Sequence, residues 1–423
     1  MASHTRMLEI NGRSYAWPSE PLVVVCVDGS QPAYIEEAIA AGAMPFTKAM
    51  LRRGADLRAR CVVPSFTNPN NLSIVTGQPP SVHGICGNYL LDPDTGEEVM
   101  MNDPRFLNAG TILKAFCDAG AEIAVVTAKD KLCRLLGHGL DFGSGRAVCF
   151  SAERAERANL AENGIENVPH MVGLPVPDVY SAALSEFIFA AGVKLMERRP
   201  PQIMYLSTTD YVQHKHAPGT PKANAFYAMM DRYWGVLDRL GARLAITADH
   251  GMSAKHDADG NPQVIYLQSL LDGWLGEGKA RVILPITDPY VVHHGALGGY
   301  ATAYLSAGAD APSLVGRLAG VTGVELALSG DEAASRFELP RARLGDLVVI
   351  SDQNSVIGTS PERHDLSGLN EPLRSHGGLS EEVVPLVFNR PVHGLEPGRG
   401  LRNFDVFDVA LNYADRIDEE MAS

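Results

Sequence analysis

Leu22-Val23-Val24-Val25-Cys26-Val27-Asp28-Gly29-Ser30 decides the fold class. Its first six residues are apolar and mostly β-branched, with no polar residue on either face. A short run of that kind reads as a strand buried on both sides, the kind parallel sheets supply. Asp28-Gly29-Ser30 closes it as a turn. Working outward, Ile35 to Arg53 reads as one helix stopped by Gly54. The buried-strand pattern recurs at Glu122–Thr127, Gln202–Ser207 and Arg243–Thr247. Helical stretches separate these strands. The clearest is Lys222–Leu240, where Phe226, Met229, Met230, Tyr233, Trp234 and Leu237 form one apolar face. Strands alternating with helices predict an α/β fold with a mostly parallel central sheet and helices on both faces.

From about His256 to Arg374 the pattern changes to Gly- and Pro-rich turns between short strand-like runs. These are Gln263–Leu267, Arg281–Ile286, Ala301–Leu305 and Asp346–Ile350, with a helix near Pro312–Leu318. We expect residues 256–374 to form an inserted α+β cap subdomain. Residues 1–255 and 375–423 would then form the core, which the chain re-enters with the strand Glu382–Phe388.

The 423 residues are 45% hydrophobic and 20% charged, enough for a large core. Against 36 Lys and Arg stand 50 Asp and Glu, a formal charge of −14. That balance excludes a general nucleic-acid binder or a surface drawn to anionic membranes, since both need clustered cations. No apolar run approaches the ~18 residues of a membrane span. The N-terminal residues lack a secretory h-region, so a cytoplasmic enzyme is expected. The six cysteines (Cys26, Cys61, Cys86, Cys117, Cys133, Cys149) form no CxxC pair and read as free buried thiols.

Four places put chemistry at the ends of predicted strands. Asp28 follows the first strand, outside the carboxyl end where open α/β sheets gather ligands. Taken alone it reads equally as a helix cap or turn residue. Asp210 and His214 are four apart, on one face of a helical turn, and could chelate one ion. His216 nearby reads as surface or supporting. Asp249-His250-Gly251 follows another strand, and Gly251 permits the turn that would aim both side chains at one site. His376, in Ser375-His376-Gly377-Gly378, lies where the chain re-enters the sheet. Three carboxylates and three imidazoles favour Zn²⁺, with Mn²⁺ and Fe²⁺ as other fits. Six ligands suit two ions with open positions. Thr67 stands near a helix entrance, with Asn70 or Asn71 read as the cap and Gly77 as the stop. As a nucleophile it needs activation; otherwise it is a turn hydroxyl.

These residues, in this order, resemble the alkaline phosphatase superfamily. Phe66-Thr67-Asn68-Pro69-Asn70, Ser73-Ile74, Thr76-Gly77, Pro80, His83-Gly84-Ile85 and Asn88 resemble its nucleotide pyrophosphatase/phosphodiesterase branch. The sulfatase CxPxR motif is missing, and the serine nucleophile of the phosphoglycerate mutases is replaced by Thr67. The resemblance implies an alkaline phosphatase-like three-layer sandwich with two zinc ions per subunit. Asp28, Thr67, Asp249 and His250 would hold one ion, and Asp210, His214 and His376 the other. Thr67 would be the nucleophile. Asn88, His214 and His376 would contact the phosphoryl group.

Lys129 and Lys131 follow the strand ending at Thr127. In an extended loop both can face the site, and the resemblance implies that they hold a substrate carboxylate; the plain alternative is a solvated loop. With the clamp, the implied reaction is cleavage of the C–P bond of phosphonoacetate to acetate and phosphate. Without it, a nucleotide pyrophosphatase or phosphodiesterase activity at the same metal site follows, with Tyr89 or Tyr211 against the base. The resemblance implies a small-molecule phosphonate substrate, no nucleic acid or membrane partner is expected, and a homodimer is compatible with the resemblance. Two Zn²⁺ and two lysines would outweigh three aspartates, so an anionic substrate fits despite the acidic chain.

Overall fold

The structure is a computed structural model that describes residues 6–287, 295–367 and 369–415. The strands that organise it are, in chain order, β1 (Leu22–Cys26), β2 (Ala55–Arg60), β3 (Ile123–Thr127), β4 (Ala147–Ser151), β5 (Ile203–Ser207) and β6 (Arg243–Thr247), followed by β7 (Ala280–Ile283), β8 (Tyr300–Leu305), β9 (Val324–Ser329), β10 (Leu347–Ser351) and β11 (Val383–Phe388). Seven of them make the central sheet in the order β2-β11-β6-β1-β5-β3-β4. Only β11 runs against its neighbours, β6 and β2. The other four pairings, from β6 to β4, are parallel.

The sheet is buried on both faces because successive side chains alternate between them. Leu22, Val24 and Cys26 enter one apolar core, Val23 and Val25 the other. The principal helices are α1 (Pro32–Ala40), α2 (Pro45–Arg53), α3 (Thr67–Thr76), α4 (Asp130–Leu136), α5 (Ala183–Arg198), α6 (Pro221–Arg239) and α7 (Val406–Asn412). Tyr34 of α1, Phe187 of α5 and Trp234 of α6 fill one side. Leu72 of α3, Leu135 of α4 and Phe407 of α7 fill the other, giving three layers.

The helix expected over Ile35–Arg53 is two helices, α1 and α2. Gly42 turns the chain at φ 74°, and Pro45 opens α2 at a position that needs no N–H donor. Between β6 and β11 the chain forms an antiparallel sheet in the order β7-β8-β10-β9. Strand β9 and the helix Gly330–Phe337 after it escape sequence reading; Val324–Ser329 has only one fully buried residue. Among the described residues, no helix is long and apolar enough to cross a membrane.

Register places the chemistry. Thr247, Cys26 and Ser207 pair across β6, β1 and β5, and Ser207 pairs on to Thr127 of β3. These four residues form one row at the carboxyl edge of the sheet. Asp249, Asp28, Asp210 and Lys129 follow them by two or three residues, so they emerge together.

Candidate metal centre

Two groups of buried ligands converge at this edge. Asp28, Asp249 and His250 form one, and Asp210, His214 and His376 the other; within each, one ligand atom per residue lies within 4.8 Å of the others. In the first group His250 Nε2 is 3.3 Å from Asp28 Oδ1 and 3.7 Å from Asp249 Oδ2. In the second, His214 Nε2 is 2.9 Å and His376 Nε2 3.7 Å from Asp210 Oδ2. The groups meet where the His250 and His376 rings stack, centroids 3.7 Å apart and 6° from parallel.

Local structure explains the convergence. The His214 N–H donates to the Asp210 carbonyl at 3.0 Å, closing a single helical turn that brings both side chains to one face. Asp249 Oδ1 accepts from the N–H groups of His250 (3.0 Å) and Gly29 (3.2 Å), joining two strand-end loops. His376 sits on a loop laced to Ser65: the Gly377 N–H donates to Ser65 Oγ at 2.9 Å. Gly377 takes φ 120°, and a Cβ there would lie 2.5 Å from the Phe66 ring. Only glycine lets His376 pack this close to the segment that carries Thr67.

All three imidazoles use Nδ1 in the same way. His250 donates it to the Gly251 carbonyl (2.9 Å), His214 to the Arg374 carbonyl (2.8 Å) and His376 to the Ser65 carbonyl (2.7 Å). A proton held at Nδ1 leaves the Nε2 lone pair facing inward, the arrangement metal-ligating histidines use. Three lone pairs then confront three buried carboxylates. Burial, with the charges of Asp210 and Asp249, pushes Asp28 well above the usual carboxylate range. Asp249 is raised by burial and by Asp210. Burial alone would raise Asp210 too, but His214 and the charge of Lys129 pull it well below its ordinary value. Burial alone would lower His250, yet Asp249 and Asp28 push it up to about 10. His376 is driven down by burial and by the neighbouring imidazoles. Acceptors crowded this closely need cations, and mixed imidazole–carboxylate sets suit zinc. The residues fit two metal ions.

Thr67 is the first residue of α3, and its Oγ1 lies 3.5 Å from His250 Nε2. Asn88 Oδ1 accepts the Asn68 N–H at 3.0 Å, which turns the Nδ2 donors the other way. Lys129 is the N-cap of α4 and Lys131 its second residue, both half-buried. They therefore do not share one extended face. Lys129 keeps extended backbone (φ −106°, ψ 141°) while Lys131 is helical, and the charge of Lys129 reaches Asp210. His216 is half-buried and contributes its backbone carbonyl to Tyr34 Oη.

Asn70 and Asn71 are not caps. The helix begins at Thr67, and both sit inside it, fully buried. Asn71 Nδ2 donates to Asp249 Oδ2 (3.1 Å) and to the Thr67 carbonyl (3.1 Å). Its Oδ1 accepts from Tyr205 Oη (2.8 Å) and Ser207 Oγ (3.2 Å). One amide thus ties Thr67 to Asp249, and the only hint in the sequence is that Asn71 follows Thr67 by four residues. Arg374, also missed, is buried and donates to the carbonyls of Gln213 (2.9 Å) and Met252 (3.1 Å), one from each ligand loop.

Residues 22–379 match the family model described as type I phosphodiesterase / nucleotide pyrophosphatase. The chain is similar to phosphonoacetate hydrolase from Sinorhizobium meliloti 1021, solved in complex with phosphonoformate and with phosphonoacetate. Identity is 60%, the alignment covers 97% of this chain and 100% of that one, and the TM-score is 0.94. It also shares its fold with murine ectonucleotide pyrophosphatase / phosphodiesterase 5, solved as an inactive form with AMP. There identity is 16%, coverage is 94% of this chain and 96% of that one, and the TM-score is 0.62.

Proposed function

The chain belongs to the type I phosphodiesterase / nucleotide pyrophosphatase family, and from that premise we propose that it is a zinc-dependent hydrolase that cleaves the C–P bond of phosphonoacetate to acetate and phosphate. One observation carries the choice of substrate: a chain 60% identical over 97% of this one is a phosphonoacetate hydrolase solved with phosphonoacetate. The geometry at the sheet edge supplies the parts. Two zinc ions held by Asp28, Thr67, Asp249 and His250 and by Asp210, His214 and His376 would supply Lewis-acid charge for the phosphonyl oxygens and acidify a coordinated hydroxyl.

Thr67 Oγ1 attacks phosphorus in line with the C–P bond. As the O–P bond forms, the C–P electron pair moves to the methylene carbon and spreads into the carboxylate. Lys129 and Lys131 stabilise that charge where it develops. The carbon leaves phosphorus as that bond breaks and takes a proton from solvent to give acetate, while the proton that Thr67 loses on attack is restored when water cleaves the phosphothreonine. Asn88 Nδ2 donates to a phosphonyl oxygen, and His214 and His376 border the same group. Water hydrolyses the phosphothreonine and releases phosphate. The free buried cysteines support a reducing, cytoplasmic location.

A substrate panel tests this proposal. Phosphate release should be fastest from phosphonoacetate, ahead of phosphonopyruvate, 2-aminoethylphosphonate and nucleotide esters. A preference for nucleotide esters would place the activity with the phosphodiesterases instead.

A further inference from the structure

Among the described residues outside the ligand set, one fully buried ion pair stands between the two ligand loops. Lys255 Nζ lies 3.1 Å from Glu381 Oε1, and neither side chain is exposed. Charged residues are almost never this buried unless they are paired, and a buried pair is weak evidence for added stability. Its placement suggests another use. The Gly251 N–H, next to His250, donates to the Glu381 carbonyl at 2.8 Å. The Gly378 N–H, two residues past His376, donates to Glu381 Oε2 at 3.0 Å. One residue therefore grips the loop of each stacked histidine, once by backbone and once by side chain. Lys255 lies on the loop leaving His250, and its N–H donates to the Leu373 carbonyl at 2.9 Å, just before the chain returns to His376.

We propose that Glu381, with Lys255 as its counter-charge, is a positioning residue that fixes His250 and His376 relative to each other and so sets the spacing of the two metal sites. It touches no reacting atom. It acts through the two loops, and the inference rests on the metal reading above. The Gly378 tie should matter more than the charges: an uncharged acceptor at position 381 suffices if Lys255 is neutralised with it.

Two double variants separate tie from charge. K255M/E381Q removes both charges and keeps an oxygen for the Gly378 N–H; K255M/E381L removes both charges and the oxygen. Zinc affinity is read by chelator competition with zinc alone, and unfolding by circular dichroism of the metal-free proteins. We expect similar unfolding temperatures for the two. Zinc affinity should fall about 10–100-fold for the leucine variant, the usual cost of losing a group that orients a ligand, and about threefold or less for the glutamine variant. The same split should show in kcat, with KM moving less than about twofold.

Gly378→Ala covers the case in which the leucine variant does not fold. Gly378 has φ −92°, which alanine tolerates, and its Cβ would lie 3.3 Å from Glu381 Oε2, pushing on the tie while leaving both charged side chains in place. A several-fold loss of zinc affinity is expected. Equal zinc affinity for the two doubles, or wild-type affinity for Gly378→Ala, overturns the role of Glu381. Failure of the wild-type protein to bind zinc overturns the metal reading and this inference with it.

Discussion

Asn71→Leu should disable the centre without touching a ligand. The amide makes four hydrogen bonds, to Asp249 Oδ2, the Thr67 carbonyl, Tyr205 Oη and Ser207 Oγ, all buried. Leucine has similar volume and makes none of them. At a net of about 1 kcal/mol for each of the three neutral hydrogen bonds and about 1.5–3 for the one to the carboxylate, the folding cost should total about 4–6 kcal/mol. The functional cost follows from freeing the Asp249 carboxylate and the first turn of α3 together. Zinc affinity should fall about 10–100-fold, and kcat by at least as much.

Asn71→Asp refines the experiment. It keeps the bonds from Tyr205 and Ser207 but sets a second carboxylate about 3.1 Å from Asp249. At an effective dielectric of ~20, that repulsion is worth about 5 kcal/mol. The variant should be less stable than wild type without metal and gain more in Tm from added zinc, because a cation relieves the repulsion. Urea unfolding, chelator competition and steady-state kinetics read all three effects. A folded Asn71→Leu protein with wild-type zinc affinity and kcat would show that the Asn71 amide does not position Asp249 and Thr67.

Other consequences are equally direct. Thr67→Ala should lower kcat more than about 100-fold while zinc affinity changes only a few-fold; a near-wild-type rate removes Thr67 as nucleophile. Lys129→Ala should reduce kcat/KM for phosphonoacetate far more than for bis-p-nitrophenyl phosphate, and Lys131→Ala less so, because Lys129 is the lysine whose charge reaches Asp210; equal losses on both substrates count against a carboxylate clamp. His83 is fully buried, donating to Ser73 Oγ (2.9 Å) and accepting the Ile85 N–H (3.2 Å), and burial together with Arg343 lowers it to about 3. The unfolded chain therefore binds a proton below about pH 6.5 that the folded chain refuses. His83 should cost the native state about 1.4 kcal/mol per pH unit as pH falls from 6.5 toward 3, and nothing above that window. In metal-free protein, His83→Gln should flatten the pH dependence of unfolding by that slope; an unchanged slope would show that His83 is not held neutral.

Much of the fold is legible because buried strands announce themselves. Leu22–Cys26 is apolar at every position and Arg243–Thr247 at its three central ones, the composition that a strand covered on both faces favours. Asp28, Asp249 and Asp210 are legible for a related reason: they follow such strands, and parallel pairing brings strand ends together. The direction of β11 is not legible, since apolar runs look alike in either sense. The break between α1 and α2 was carried by Gly42 and Pro45 but masked by helix-forming residues on both sides. Asn71 reads as a cap because asparagine near a helix start resembles one, while the groups it serves, Asp249, Tyr205 and Ser207, lie more than 130 residues away in sequence. Lys129 and Lys131 were expected in extended chain, but α4 begins between them.

Metal-dependent C–P hydrolysis is tested by one measurement: phosphate released from phosphonoacetate by the purified protein, before chelation, after removal of metal, and after adding back Zn²⁺. The expected result is multiple turnovers, then none, then recovery, with about two zinc ions bound per chain at full activity. Undiminished phosphate release from protein shown by metal analysis to hold no metal would contradict it, as would no release from a fully zinc-loaded protein.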